Sequence, residues 1–167
     1  MKNVFVPVDF SACSDYALKY AMELCKTQKA QLFAVHGFSA NEEVISSDFV
    51  TPFQGVAGTL SSEQITDFIS ERKDRIDKQL ADIVEWGKKN DVEIITHCID
   101  SSMFEDLAQK AEELNCDLVV MGSNGSKGIE EALIGSNTQK FVRNSSIPVM
   151  VIKNEPVQLK RIAFFST

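Results

Sequence analysis

Gly122 and Gly125 directly follow a short apolar run, Leu118 to Met121, and Gly135-Ser136 comes after nine intervening residues. Glycine has no Cβ, so its backbone N–H can come close to a phosphate, and a helix that starts nearby turns further N–H groups toward the same anion. Ser123, Ser126, Ser136 and Thr138 add small hydroxyl donors along this stretch. Two readings are open at this level: a cradle for a nucleotide phosphate, or glycines that only make a tight turn between strand and helix.

Other residues capable of chemistry are sparse. Asp9 closes the first apolar run and stands where it can reach a ligand or cap the helix that follows. It is also a possible ligand of a magnesium ion carried by a nucleotide, although one carboxylate alone makes a thin magnesium site. His36 and His97 each fall inside a strand-like run and read as packed strand histidines. No Ser-His-Asp or Cys-His spacing can be argued, and the G-x-x-x-x-G-K-[ST] loop is absent. Cysteines at 13, 25, 98 and 116 form no C-x-x-C pair and stand far in sequence from both histidines. They read as reduced, mostly buried thiols of a cytoplasmic protein rather than as a zinc or redox site.

The elements that must position these groups alternate regularly. Apolar runs at Asn3–Val8, Gln31–His36, Val92–Cys98, Leu118–Met121 and Pro148–Lys153 suit strands buried on both faces of a parallel sheet. Between the first two lies a helix opened by Ser11 or Ser14, with Ala17, Leu18, Ala21, Leu24 and Cys25 inward. A long helix runs from Ser61 to about Lys89, with Ile65, Phe68, Ile69, Ile76, Leu80, Ile83 and Val84 at helical spacing. Its other face, rich in Glu, Lys, Arg and Asp, reads as solvated. Met103 to Leu114 and Ile129 to Asn144 complete the helices. The stretch from Phe38 to Leu60 reads as a long, partly ordered excursion.

Such alternation predicts an α/β fold: a doubly wound, five-stranded parallel sheet in the order 3-2-1-4-5, with helices on both faces. In that order the switch point lies between strands one and four, where open α/β sheets bind ligands at the strands' carboxyl ends. Asp9 and the glycine loop then meet at one crevice, which favours the phosphate reading.

The 167 residues suit one domain with a real core, and the net charge of -7 argues against a nucleic-acid binder. No apolar run is long enough to span a bilayer. We expect one domain over residues 1–155. Residues 156–167, with L-K-R-I-A-F-F-S-T, echo the opening M-K-N-V-F-V-P-V-D and read as a linker plus the first strand of a truncated second repeat. An extra edge strand is the other reading.

The pieces V-F-V-P-V-D-F-S, A-Q-L-F-A-V-H, C-D-L-V-V-M-G-S-N-G and I-G-S-N-T-Q-K-F-V-R-N-S-S-I-P-V-M-V-I-K together resemble the universal stress protein family over Met1 to Lys153. The G-x2-G-x9-G-[ST] spacing is similar to that of the family's ATP-binding branch. The resemblance implies an adenine-nucleotide alpha-hydrolase-like sandwich holding ATP, with or without magnesium, in the inferred crevice. It implies that Pro7 and Asp9 lie by the adenosine and that Gly37 offers a backbone contact to adenine. Met121, Gly122, Asn124 and Gly125 would surround the ribose and phosphates, and Gly135, Ser136, Asn137 and Thr138 would close over the phosphates. It further implies a stress-response regulator with little or no catalysis, a homodimer through the last strand (Val149 to Ile152) or a tandem intramolecular pair, and a cytoplasmic location. A nucleotide-free dimeric scaffold and a slow ATP hydrolase are the alternatives. Glu130 and Glu131 depart from the basic residues common in the family's glycine segment.

Overall fold

A computed structural model describes residues 1–39, 62–101, 104–123, 135–153 and 155. Five strands pair in parallel in the order β3-β2-β1-β4-β5. They are β1 (Asn3–Pro7), β2 (Gln31–Gly37), β3 (Ile94–Ile99), β4 (Leu118–Gly122) and β5 (Val149–Ile152). Helices α1 (Ala12–Gln28), α2 (Ser62–Lys89), α3 (Phe104–Glu113) and α4 (Ser136–Asn144) fill the intervals. The predicted fold class and strand order are both observed.

Alternation along the strands divides the core between the two faces of the sheet. Val4, Val6 and Val8 pack with Leu32, Ala34, Ile94, Leu118 and Val120 against Ala17, Leu18, Ala21 and Cys25 of α1 and Ile76 and Leu80 of α2. Phe5, Phe33, Val35, Val119 and Met121 face the other way, onto Leu107, Ala108 and Ala111 of α3 and Phe141 of α4. Burial on both faces is why these strands read as continuous apolar runs.

Element boundaries shift where a backbone bond leaves the ladder. Val92 was expected in the third strand, but its N–H turns back to Gly87 O at 3.0 Å, and β3 starts at Ile94. Gly87 permits this close return, since a Cβ there would lie 2.6 Å from the Ile94 side chain. A continuous helix from Ile129 to Asn144 is corrected at Gly135, which is extended (φ −61°, ψ 150°) and forms the N-cap of α4. Residues 124–134, most of the 38–60 excursion and the 156–167 repeat lie outside the described residues. Two thiols, Cys25 and Cys116, are buried, Cys13 is half-buried and Cys98 is exposed, so the expectation of mostly buried cysteines holds for the first pair.

Candidate functional site

The crevice begins where β1 and β4 part. Their register is Val4 with Leu118 and Phe5 with Val119, and it ends there. On the other side β1 stays paired with β2 through Pro7 and Val35, and Val8 N–H donates to Val35 O at 2.9 Å. Lys2 O and Val8 N face β2 while Asn3 O faces β4, so strict alternation puts Pro7 on the β4 side. Its missing N–H therefore falls where pairing has already stopped. Proline is tolerated in this central strand because it sits at the mouth of the opening.

Asp9 is exposed at that mouth. Its Oδ1 accepts from Ser11 N–H (3.1 Å) and Ser11 Oγ (2.5 Å), and Ser11 Oγ in turn accepts from Ser14 N–H at 3.3 Å to cap α1. The capping role foreseen for Asp9 is thus indirect: it orients the residue that caps. Phe10 between them takes a left-handed φ of 60°. That turn carries its ring onto His36, with centroids 4.6 Å apart. His36 Nδ1 stands 2.7 Å from Val8 O. A carbonyl only accepts, so this nitrogen carries a proton, and His36 serves as a strut between β2 and the β1–α1 turn. His97 stacks on Phe33 at 6.3 Å, with Nε2 buried and unpartnered among the described residues. Neither histidine stands as a free base at the crevice.

Gly37 closes β2. The N–H groups of Leu32 and Phe38 donate to Glu93 O and Ile99 O of the β3 side, whereas Gln31 N–H donates to Lys2 O of the β1 side. Alternation places Gly37 on the β1 side, one step beyond the last β1–β2 bond. Among the described residues its N–H has no backbone partner on that side, at the end of β1.

The far wall is built by β4 and α4. Ser123 N–H donates to Ile152 O at 2.7 Å, and Ser123 O accepts from Gly135 N–H at 2.8 Å. Thr138 Oγ1 lies 3.0 Å from Gly122 O and 3.1 Å from Ser123 O, donating its single proton between them. These bonds fix the start of α4 on the end of β4. Thr138 is 2% exposed and Ser123 is 1% exposed, so both hydroxyls are built into the wall and do not reach into the crevice. Ser136 and Asn137 are exposed. Among the described residues no side chain caps the start of α4, and its first bond is Gln139 N–H to Gly135 O at 3.0 Å. The three N–H groups of Ser136 to Thr138 thus have no acceptor within the helix, the arrangement that favours an anion.

Gly122 has a packing reason that its spacing does not announce. A Cβ there would lie 2.9 Å from the carbonyl carbon, oxygen and Cβ of Cys13. The glycine lets β4 end directly against the first turn of α1. The structure thus gathers Pro7, Asp9, Gly37, Met121, Gly122, Gly135, Ser136, Asn137 and Thr138 around the carboxyl ends of β1, β2 and β4, while Asn124 and Gly125 lie outside the described residues. Sequence reading missed Phe10 and Cys13, whose roles depend on a backbone turn and a close helix–strand approach that no residue type announces. Among the described residues no cluster of His, Cys, Asp or Glu is arranged to hold a metal ion, and no helix is long and apolar enough to cross a membrane.

Solved structures share this architecture. Protein MJ0577 superposes with a TM-score of 0.75 at 19% identity, covering 93% of this chain and 98% of that one. A universal stress protein of Archaeoglobus fulgidus in complex with dAMP superposes at 0.57 (20% identity, 92% and 98% covered). A universal stress protein in complex with cAMP gives 0.58 (19% identity, 91% and 96% covered). In sequence, universal stress protein MJ0531 of Methanocaldococcus jannaschii is 29% identical over 153 residues, 91% of this chain and 82% of its own. Universal stress protein YxiE of Bacillus subtilis is 27% identical over 155 residues, 90% and 98% of the two chains. Residues 1–153 match the sequence model of the universal stress protein family, and the chain belongs to that family.

Proposed function

We propose that this chain is a cytoplasmic regulatory protein that binds an adenine nucleotide, ATP in the first instance, in the crevice between β1 and β4. The observation that carries the reading is the start of α4, uncapped among the described residues and held by Ser123 and Thr138 against the end of β4 at the switch point. A negatively charged phosphate group meets three N–H groups there without displacing any side-chain cap. Gly37 presents its backbone to the base, and Asp9 stands by the sugar. When bound with its nucleotide, a magnesium ion supplies neutralisation of phosphate charge, and Asp9 is the carboxylate at hand for it. The dAMP and cAMP complexes of other universal stress proteins support an adenylate as the ligand class. Among the described residues neither histidine stands as a base at the crevice, which favours holding the nucleotide over turning it over.

Self-association through the outer edge of β5 is part of the same proposal, as is a tandem arrangement in which residues 156–167 begin a second repeat. This chain covers only 44% of a longer Archaeoglobus fulgidus universal stress protein at a TM-score of 0.59, which supports the tandem form.

The test is a thermal melt of the full chain with ATP, AMP and GTP. Binding at a hundredfold excess over Kd adds about 2.7 kcal/mol of stability. ATP or AMP should therefore raise the Tm clearly and GTP less, with the shift reduced in Asp9→Ala. A folded protein whose Tm ignores millimolar ATP and AMP overturns the reading in favour of a scaffold that keeps the fold without the ligand.

A further inference from the structure

A second hollow, separate from the nucleotide crevice, runs between α1 and α2 on the outer side of the sheet. Its volume is about 370 Å³. Its apolar walls are Leu18 of α1, Ile83 and Trp86 of α2, and the ring of Phe10 from the β1–α1 turn. Two aromatic rings thus line a space that also receives two carboxylates, Asp15 from α1 and Asp82 from α2. The carboxylates come from different helices, so they face the space from two walls. Neither forms an ion pair or hydrogen bond among the described residues.

One cation, Lys19, also borders the hollow. Its ammonium is engaged elsewhere: it lies 3.2 Å from Glu155 Oε1 and 5.5 Å from the Tyr16 ring centre. Burial raises the Asp15 carboxyl above its ordinary value, with Lys19 opposing and Asp9 adding to the rise. A partly desolvated carboxylate at the edge of an apolar hollow gains from a counter-charge placed beside it. Aromatic faces next to carboxylates are the surroundings in which an organic cation is held twice, by ring quadrupole and by charge-assisted hydrogen bond.

We propose that the α1–α2 groove is a binding site for a small organic cation, a primary ammonium or guanidinium on a compact apolar or aromatic body. The body lies against Leu18, Ile83 and Trp86, and the charged head reaches Asp15 and Asp82. The inference stands apart from the nucleotide reading, since no residue of the α4 wall takes part. The two sites meet only at the β1–α1 turn, where Asp9 faces the crevice and Phe10 faces the groove.

Trp86 is the chain's one tryptophan, so its fluorescence reports the groove directly. The experiment titrates the nucleotide-free full chain with 2-phenylethylamine, and in parallel with 2-phenylethanol and 3-phenylpropionate. The expected result is a saturable change in Trp86 emission with the amine, about tenfold weaker binding for the alcohol, and none for the carboxylate. Asp15→Asn and Asp82→Asn should each weaken amine binding about tenfold while leaving alcohol binding unchanged. Both residues are exposed, so the variants keep the fold, and an unchanged Tm checks this. Equal binding of amine and alcohol, amine binding indifferent to both substitutions, or no saturable change with the amine in the folded protein each overturns the proposal.

Discussion

A methyl group at residue 122 would sit 2.9 Å from three atoms of Cys13, two of them backbone. Backbone at the first turn of a capped helix cannot step aside cheaply, so the strain must spread into the α1–β4 contact. Gly122→Ala should therefore destabilise the chain by about 1–3 kcal/mol, read as a lower urea midpoint with an unchanged m-value. A loss of nucleotide affinity without loss of stability would mean that Gly122 serves the ligand directly and that the contact with Cys13 yields. The spacing of the glycines announced the end of a strand, and β4 does end at Gly122. It did not announce which neighbour each glycine admits, because that depends on how closely a helix a hundred residues away in sequence approaches. Thr138 repeats the lesson. Its type fits an anion donor, yet it is buried and donates to the Gly122 and Ser123 carbonyls, which positions the N–H groups of α4.

The joints between elements use residues whose short polar side chains tolerate unusual backbone. Asp91 and Asn115 take positive φ (57° and 50°) just after α2 and α3, a conformation that Asp and Asn adopt more readily than most residues. Lys29 does the same after α1 at φ 52°, and nothing about a lysine signals it. The joint between α3 and β4 also latches the start of β1. Asp117 Oδ2 accepts from Lys2 N–H at 2.5 Å and Asn3 N–H at 3.0 Å, and Asn3 Nδ2 donates to Leu114 O at 3.0 Å. The two backbone donors, with the nearby amino terminus and Lys2, hold the Asp117 carboxyl below its ordinary value of 3.8. A depressed carboxylate lends stability that is fully present above the unfolded value and fades as pH falls through the folded one. Asp117→Asn should lower the Tm at neutral pH, and the gap from the unsubstituted chain should close once the pH drops well below 3.8. A gap that persists at the acid end would assign the loss to geometry instead of charge. No sequence pattern announces this latch, since the partners of Asp117 are more than a hundred residues away.

At the scale of the whole molecule, the strand order and the crevice followed from alternation of apolar runs, because right-handed crossovers leave few ways to stack five parallel strands. What pattern could not supply is how the sheet presents its β5 side, where pairing stops among the described residues. Val119 N–H donates to Pro148 O, and Ser123 N–H donates to Ile152 O. Pro148, Met150 and Ile152 thus turn their backbone groups toward β4, and Val149 and Val151 turn theirs outward along an edge. Both valines are only half-buried, and Val142 of α4 is 45% exposed. An edge with unpaired groups and apolar residues is a template for strand addition. Proline at an outward position removes an edge N–H without touching a β4 bond, so it separates assembly from folding. Val151→Pro should convert a self-associating chain to a monomer by sedimentation, with urea unfolding close to that of the parent. Met150→Pro breaks the β4 ladder instead and should cost stability outright. If Val151→Pro stays associated while remaining folded, the contact between copies lies on another face of the molecule, and β5 is a plain edge.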